Sequence, residues 1–376
     1  MTRTAKLLCD LIAQPSVNPA FLPERHPHAG ERHVVEFLAA RGAKAGLDIE
    51  FQKVFQDRSN LLARLSPTTK VRRRILLAPH LDTVNVVDDG QLIPRKVGDQ
   101  LYGRGACDTK GSVAAMFEAV CELTRTRNRP RETEIIFVGL VDEENAQGGS
   151  RALAASGMKA DLAIVGEFTQ LAIATAHKGS VWLDVATRGK SAHGATPQLG
   201  KNAVHEMARV VEAIETDYAR QLRQKKHPVL GHGTVNVGTI RGGTQPNIVP
   251  DQCVISVDRR TLPGENEASA RRELERFLRN RKLNARVANL KLKPCPPLET
   301  DADLPLVKQF LRSVGQRRPQ GVHYFCDAAV LAAGGIPSVV FGPGDIAQAH
   351  TADEWVSLKQ LDGARDLLVR FLKSLP

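Results

Sequence analysis

The sequence feature that most constrains the fold is a series of short apolar segments or glycine-rich turns, each ending near a residue that can bind a metal ion. Segments 75–78, 135–138 and 162–166 have the length and composition of buried strands. In an open α/β sheet, strand ends of one edge form a crevice where residues distant in sequence meet. The pattern predicts an α/β fold with a site built from five residues: His80, Asp108, Glu144, Glu167 and His350.

The chemistry of these five side chains narrows the choice of ion. Calcium and magnesium sites rarely include histidine, whereas two imidazoles and three carboxylates suit two zinc-like ions with open coordination positions. A carboxylate that bridges the ions would complete such a pair. Positions 142–144 are three consecutive acids after a predicted buried strand, and such a cluster is costly unless a cation lies close to it.

Two aspartates in these segments allow more than one interpretation. Asp108 precedes an amphipathic helix, where the commonest role of an aspartate is to cap the helix. Asp82 lies two residues after His80, so the two side chains share one face of an extended chain. It could orient the histidine, or it could position a neighbouring catalytic group.

Eight short motifs support a resemblance that covers nearly the whole chain. They are H-L-D (80–82), G-R-G-A-C-D-T-K-G (103–111), D-E-E (142–144), G-E (166–167), G-K-S-A-H-G (189–194), G-G-T-Q-P-N-I-V-P-D (242–251), D-R-R-T-L-P-G-E (258–265) and A-H-T-A-D-E (349–354). In motif order and spacing, the chain resembles the di-zinc amidohydrolases that include acetylornithine deacetylase, succinyl-diaminopimelate desuccinylase and glutamate carboxypeptidase. It departs from the family pattern at Thr109 and in segment 145–149, and neither departure removes a ligand.

The resemblance implies a metal centre of two divalent ions, zinc first, with cobalt or manganese as alternatives. Asp108 would be shared between the ions. The implied ligand sets are His80, Asp108 and Glu167 for one ion, and Asp108, Glu144 and His350 for the other. Glu143 would be the general base that deprotonates the attacking water. The resemblance also implies a strained, cis peptide bond after Asp108.

Four further candidates concern the substrate. The resemblance implies that His193 reaches the active site from a smaller domain, generally that of the partner subunit, and donates to the oxyanion of the tetrahedral intermediate. The simpler interpretation of His193 is an exposed loop histidine. Asn247 matches a family residue that binds substrate, and Gly344, in the turn before His350, is also a candidate for substrate binding.

Arg260 is the last of these four candidates. It matches a family position that binds substrate, and the planar guanidinium suits a carboxylate because it forms two parallel hydrogen bonds. The alternative is a surface ion pair with Asp258 or Glu265. Arg259 points the other way along the predicted strand and is the weaker candidate.

The predicted elements between residues 178 and 293 differ from those in the rest of the chain. Their order is strand, helix, strand, strand, helix, strand, at 181–187, 202–218, 234–240, 253–259, 268–281 and 285–292. This order predicts a ferredoxin-like α+β lid, inserted in a catalytic domain made of residues 1–177 and 294–376. The catalytic domain is expected to have a central mixed sheet flanked by helices. The resemblance implies a homodimer formed through the lid.

Composition argues against several other classes of protein. The chain of 376 residues has no apolar run of membrane-spanning length, and residues 1–13 resemble an amphipathic helix more than a signal peptide. The six cysteines lack C-x-x-C spacing, so we expect reduced thiols in a cytoplasmic protein. The net charge is +11, but the basic clusters lack interleaved aromatic residues, so we expect neither a nucleic-acid nor a membrane partner.

Taken together, these features predict a metal-dependent amide hydrolase that removes an acetyl or succinyl group from a small N-acyl amino acid. A dipeptidase or carboxypeptidase is the alternative, because the two reactions share ligands and differ in the pocket around the amide. A catalytically silent metal-binding protein of the same fold is a third hypothesis. The presence of Glu143 beside all five ligand positions argues against the silent form.

Overall fold

The computed structural model describes residues 1–290 and 293–376 and forms two compact units. The first comprises Met1–Thr175, Thr300–Gln320 and Cys326–Pro376, and the second comprises Ala176–Glu299 and Gly321–Phe325. All five predicted metal ligands lie in the first unit. The predicted lid, 178–293, lies within the second. The predicted end of its last strand, Leu292, lies outside the described residues.

The helices are numbered here in chain order. In the described residues they are α1 (Arg3–Ile12), α2 (Arg32–Lys44), α3 (Lys110–Thr124), α4 (Gly148–Ala155), α5 (Ala203–Ala213), α6 (Ala219–Leu222), α7 (Glu267–Asn280), α8 (Pro305–Val314), α9 (Asp327–Ala333) and α10 (Leu358–Lys373). A π-helical turn, Ile214–Tyr218, joins α5 to α6.

The strands are numbered in the same way. They are β1 (Asp48–Lys53), β2 (Ser59–Leu65), β3 (Arg73–Pro79), β4 (Arg95–Val97), β5 (Gln100–Tyr102), β6 (Thr133–Gly139), β7 (Leu162–Gly166), β8 (Ala174–His177), β9 (Gly179–Arg188), β10 (Lys226–His227), β11 (Gly231–His232), β12 (Thr234–Gly242), β13 (Gln252–Thr261), β14 (Ala285–Asn289), β15 (Leu298–Glu299), β16 (Gln320–Val322), β17 (Ser338–Val340) and β18 (Trp355–Ser357).

A mixed sheet forms the centre of the first unit, as predicted. Six of its strands lie side by side in the order β1-β2-β6-β3-β7-β17. The strands from β6 to β17 run parallel, whereas β2 is antiparallel to both of its neighbours. Every residue of β6 and β7 is buried. Helices usually cover both faces of parallel strands, and strands buried on both faces have continuous apolar sequences.

Helix α3 packs on this sheet through an almost wholly buried surface. Its Phe117 ring meets the ring of Phe137 in β6 edge to face, with centroids 5.1 Å apart. Helices α1 and α10 pack against α3 in turn. The apolar contacts of α3 therefore fix the position of the loop that precedes it, which carries Asp108.

The second unit is built on a four-stranded antiparallel sheet in the order β12-β13-β9-β14. Counted along the predicted lid, these are its second, third, first and fourth strands, which is the ferredoxin-like order. Burial alternates along β13, so one face of the sheet is covered. Helices α5 and α7 pack on the sheet, and Met207 and Leu274 belong to the same buried cluster as Val185 and Ile255.

Candidate metal centre

The carboxyl ends of three neighbouring parallel strands carry three of the predicted ligands. His80 directly follows β3, Glu167 directly follows β7, and Glu144 lies in the loop after β6. These strands are adjacent in the order β6-β3-β7. Because such strand ends form one crevice, residues separated by more than 80 positions in sequence lie together.

Asp108 lies between the two predicted histidine ligands. Its Oδ1 is 3.0 Å from Nε2 of His80, and its Oδ2 is 3.1 Å from Nε2 of His350. Each carboxylate oxygen therefore faces a different imidazole. This is the geometry expected of a carboxylate that is shared between two ions.

A further carboxylate lies beside each histidine. Oε1 of Glu167 is 3.9 Å from Nε2 of His80, and Oε2 of Glu144 is 3.3 Å from Nε2 of His350. Two ligand atoms of one tetrahedral zinc ion lie about 3.4 Å apart, given metal–ligand bonds of about 2.1 Å. The spacing of both sets is compatible with a small divalent cation.

The electrostatics of this cluster also fit a cation. Burial raises the pKa of Glu144 to about 7, and the neighbouring Asp108 carboxylate adds to this effect. Burial likewise raises the pKa of Glu167 well above its usual value, although His80 opposes the shift. Oε1 of Glu144 is buried and has no hydrogen-bond partner among the described residues. Divalent ions would supply the positive charge and the missing partner.

Asp108 and His350 shift each other's pKa in opposite directions. Burial alone would raise the pKa of Asp108, but hydrogen bonds to His350 and His80 hold it well below its usual value. Hydrogen bonds to Asp108 and then to Glu144 raise the pKa of His350 to about 10. A metal ion binds the neutral imidazole, so metal binding at these positions would release protons from the histidines.

Asp108 does not cap helix α3. The N-cap residue is Thr109, whose side chain makes no capping hydrogen bond, and the Asp108 carboxylate points to the two histidines instead. The Asp108–Thr109 peptide bond is cis, as the resemblance implied. The helix-cap interpretation of Asp108 is therefore wrong.

Asp82 contacts the loop that carries the proposed base. Its Oδ1 accepts the backbone N–H of Glu143 at 3.0 Å, and its Oδ2 accepts that of Glu144 at 3.1 Å. Nδ1 of His80 lies 3.0 Å from the Asp82 carbonyl oxygen and 3.6 Å from its carboxylate. Asp82 thus orients the histidine through its backbone and holds Glu143 through its side chain.

Glu143 lies at this loop with a partly buried side chain. Burial raises the pKa of Glu143 well above its usual value; His80 opposes this shift, and the nearby Glu167 carboxylate adds to it. A carboxyl group with a raised pKa can accept a proton and later release it near neutral pH. The position and the environment of Glu143 therefore suit a general base.

Two buried polar residues beside the site were missed by sequence reasoning. Nδ2 of Asn18 donates to Asp82 at 2.7 Å and to Asp142 at 3.1 Å, so a residue of the N-terminal segment braces the loop after β6. Asp327 accepts a hydrogen bond from the Ser150 hydroxyl. No motif marked Asn18, because a single asparagine before a proline is a common turn signal.

Comparison with known proteins identifies the family. The model of peptidase family M20/M25/M40 matches residues 76–374. The chain belongs to this family. It is 31% identical to the acetylornithine deacetylase of Myxococcus xanthus over 354 residues, which is 90% of each chain. It is 30% identical to that of Vibrio cholerae serotype O1 over 356 residues, 92% of each chain.

Solved structures show the same fold. A tripeptidase from Staphylococcus aureus superposes with a TM-score of 0.79 at 20% identity and covers 99% of this chain and 97% of that one. An M20 family metallo-carboxypeptidase from Sulfolobus solfataricus superposes with a TM-score of 0.77 at 17% identity, and the match covers 99% of both chains. A Bacillus subtilis M20 peptidase described as dinuclear metal binding superposes with a TM-score of 0.72 at 13% identity. The match covers 99% of this chain and 97% of that one.

Membership of the M20/M25/M40 family makes this protein a hydrolase of amide bonds. The predicted resemblance to the acetylornithine deacetylases is confirmed, and the structure contains a candidate metal site. In the described part of this family member, no helix is both long enough and apolar enough to cross a membrane.

Two of the substrate candidates of this M20/M25/M40 chain lie side by side in its second unit. The backbone N–H of Gly194, next to His193, donates to the Asn247 carbonyl at 2.7 Å. His193 and Asn247 are both exposed. The Ala195 N–H donates to Nδ1 of His193 at 3.1 Å, which places the proton of the neutral imidazole on Nε2.

Arg260, also in the second unit, forms one of the two ion pairs considered for it. Its Nε donates to Oδ2 of Asp258 at 3.0 Å, and its side chain is about one-third exposed (32%). The other candidate acid, Glu265, pairs with buried Arg259 at 3.2 Å. The two arginines therefore point to opposite sides of β13, as predicted.

Gly344 lies in the first unit at a turn that requires glycine. Its φ is +95°, and a Cβ atom there would lie 2.5 Å from Sγ of Cys107. Its N–H donates to Oε1 of Gln360 at 2.8 Å. The glycine thus lets the chain pass closely beside the Asp108 loop.

Proposed function

We propose that this protein is a two-metal deacylase that removes an acetyl or succinyl group from an N-acyl amino acid. The observation that supports it most strongly is the position of Asp108, whose two oxygens face His80 and His350 at 3.0 and 3.1 Å. Its identity of about 30% with acetylornithine deacetylases over nine-tenths of the chain supports the choice of substrate class.

In this proposal Asp108 is shared between two ions. His80 and Glu167 complete the ligands of one ion, and Glu144 and His350 complete those of the other. Two divalent ions, zinc first and cobalt or manganese as alternatives, supply Lewis acidity and acidify a water molecule when they are bound. The protein contributes the geometry, because both histidines and three carboxylates are already oriented toward one another.

Glu143 is the proposed general base. Its carboxylate takes a proton from the water that attacks the amide carbonyl, and it then delivers that proton to the nitrogen of the departing amine. Asp82 holds Glu143 by its backbone N–H, which limits the movement of the base between the two steps. Burial favours the protonated form that Glu143 adopts between them.

We propose that His193 donates from Nε2 to the oxyanion of the tetrahedral intermediate. Its Nδ1 accepts the Ala195 N–H, which leaves Nε2 as the donor of the neutral ring. Asn247, paired with the His193 loop through Gly194, is proposed to contact the substrate. Gly344 is proposed to lie beside the acyl group, where a side chain would collide with Cys107.

The substrate is proposed to carry a carboxylate, which Arg260 would bind. Lys178 supports this choice, because it is buried and its ammonium group has no carboxylate partner among the described residues. Burial lowers the pKa of Lys178, and Arg259 and then Arg260 lower it further. A cationic group in such surroundings favours a bound anion.

A homodimer through the second unit is proposed as the functional form. Strand β12 lies at one end of the sheet and is exposed along most of its nine residues. Its Ile240 side chain is 57% exposed. An unprotected edge strand with an apolar residue can pair with a second copy. Sedimentation equilibrium tests this, and a monomer at working enzyme concentration would contradict it.

The test of the proposed reaction is a substrate panel assayed with metal-stripped protein before and after addition of zinc, cobalt or manganese. The panel contains N-acetylornithine, N-succinyl-diaminopimelate, other N-acetyl amino acids and several dipeptides. Metal-restored cleavage of an N-acyl amino acid is expected. Preferential cleavage of dipeptides would replace the proposal with the peptidase alternative, and a protein that binds two ions but cleaves none of these compounds would contradict the deacylase.

A further inference from the structure

Glu354 is a buried carboxylate, 1% exposed, that forms four hydrogen bonds. Its Oε1 accepts the backbone N–H groups of Cys107 at 2.8 Å and Asp108 at 2.9 Å. Its Oε2 accepts the N–H of Gly105 at 2.9 Å and Nη1 of Arg104 at 2.7 Å. Together these donors fill the acceptor positions of a carboxylate.

The loop that ends at Asp108 is wrapped around this carboxylate. Successive backbone N–H groups that converge on one point form a concave anion site, of the kind that often holds a phosphate. Here the anion is a side chain of the same unit, and buried Arg104 supplies the positive charge. Gly105, at φ +81°, makes the turn possible because a Cβ there would lie 2.8 Å from Cδ of Lys110.

The segment that carries Glu354 also carries His350. Directly after Glu354, strand β18 pairs with β5, with Trp355 opposite Tyr102. The Gly103 N–H donates to the Glu354 carbonyl at 3.0 Å. Segment 350–357 and loop 103–108 are therefore joined at Glu354 by both its side chain and its backbone.

We propose that Glu354 is a positioning residue for the metal centre. It fixes the backbone of Asp108 relative to the segment of His350 and so sets the approach of Asp108 Oδ2 to Nε2 of His350, now 3.1 Å. The proposal rests on the metal binding of the proposed function and is independent of which amide is cleaved. Residues outside the ligand set that orient metal ligands commonly change metal affinity by about 10–100-fold when they are replaced.

The informative substitution is Glu354→Gln. The amide keeps one acceptor oxygen but presents an NH₂ group, which donates, to backbone N–H groups that also donate. It also leaves Arg104 without its counter-ion. The loop then loses the hydrogen bonds that define the position of Asp108, while all five ligand side chains and Glu143 stay unchanged.

Glu118→Gln is the matched control. Glu118 is also buried, at 3% exposure, and pairs with an arginine, Arg41, at 2.8 Å. It lies in the first unit, within helix α3, and in the described residues its carboxylate pairs with Arg41 and Arg125, neither of which belongs to loop 103–108. Both variants remove the charge of a buried glutamate from an arginine pair, and only one of them alters the Asp108 loop.

The experiment is a titration of the metal-free proteins with Co²⁺, followed by the visible absorption of the bound ion and by competition with a chelator. For Glu354→Gln we expect about 10–100-fold weaker binding and an altered cobalt spectrum, with the spectrum and affinity of Glu118→Gln close to those of the unmodified protein. If Glu354→Gln binds cobalt as tightly as Glu118→Gln, with the same spectrum, the positioning role is wrong. If the unmodified protein does not bind cobalt, it is the proposed metal function that fails.

A second variant covers the case in which Glu354→Gln does not fold. Arg104→Met removes the cation but keeps the three backbone N–H donors to Glu354. We expect the same spectral change with a smaller loss of cobalt affinity. A folded Arg104→Met protein that binds cobalt as the unmodified protein does would overturn the proposal.

Discussion

Oδ1 of Asp82 accepts the backbone N–H of Glu143 at 3.0 Å, so a residue at the end of one strand fixes the proposed base at the end of its neighbour. Replacement of Asp82 by asparagine puts an NH₂ donor where the carboxylate now accepts three N–H groups. We predict about a 10–100-fold loss of kcat. Steady-state kinetics with matched metal content would check this.

Asp161→Asn is the control for this prediction. The Asp161 carboxylate also accepts a backbone N–H, that of Arg74 at 2.7 Å, but at the amino end of β3, which is the end of the strand opposite to His80. The Asp161→Asn variant should keep normal turnover. Equal losses in both variants would show that the Asp82 effect is general destabilisation.

Glu143→Gln should remove nearly all turnover and leave metal content nearly intact. The substitution removes the proton acceptor but no ligand, and the loss of a general base costs about 10²–10⁴-fold in rate. Elemental analysis and turnover measured on the same sample would separate the two properties. Unchanged turnover would exclude Glu143 as the base.

His193→Ala should lower kcat by about 10²–10³-fold, the effect of removing one oxyanion donor. The control is His205→Ala, which removes another exposed imidazole from the second unit. Mixed dimers of His193→Ala and Glu143→Ala protomers would test whether the site is shared between subunits. Recovered activity supports sharing, and its absence after confirmed subunit exchange contradicts it.

Arg259→Met should destabilise the second unit by about 3–5 kcal/mol, because Glu265 would lose its buried partner. Arg259 is 1% exposed and lies 3.2 Å from Glu265. The sequence contains two tryptophans, so a Trp355→Phe background leaves Trp182 as the reporter of this unit in urea unfolding. Arg260→Met, one residue further along β13, should have a much smaller effect on the free energy of unfolding.

Removal of metal should lower the unfolding temperature of the first unit, because ions that bind only the folded state stabilise it. At a free concentration of one hundred times Kd, that stabilisation is about 2.7 kcal/mol. A Trp182→Phe background leaves Trp355, which follows Glu354 directly, to report this unit. An unfolding temperature unaffected by chelator would argue against a metal centre there.

The strand ends could be predicted from sequence because apolar runs in parallel strands have a simple pattern, and His80 and Glu167 follow directly from it. Glu354 could not be interpreted in the same way. Its partners are mainly backbone N–H groups of a loop 246 residues away, and the direction of a backbone N–H leaves no residue-type signal. The motif A-H-T-A-D-E marked the segment but gave Glu354 no role.

The two arginines of β13 show a second limit of prediction. Alternation along a strand correctly placed Arg259 and Arg260 on opposite sides. It did not decide which acid each would meet, because Asp258 and Glu265 are both close in sequence. The observed pairs, Arg260 with Asp258 and Arg259 with Glu265, depend on the turn after β13, whose path the alternation does not specify.

The junction of loop 103–108 with segment 350–357 has a consequence for the order of events during protein synthesis. A ribosome has produced His80, Asp108, Glu144 and Glu167 long before it reaches Glu354. Until then the backbone N–H groups of Cys107 and Asp108 lack their acceptor, and Arg104 lacks its counter-ion. The nascent chain can therefore form its central parallel strands early, but the proposed metal centre cannot assemble until segment 350–357 has been synthesised.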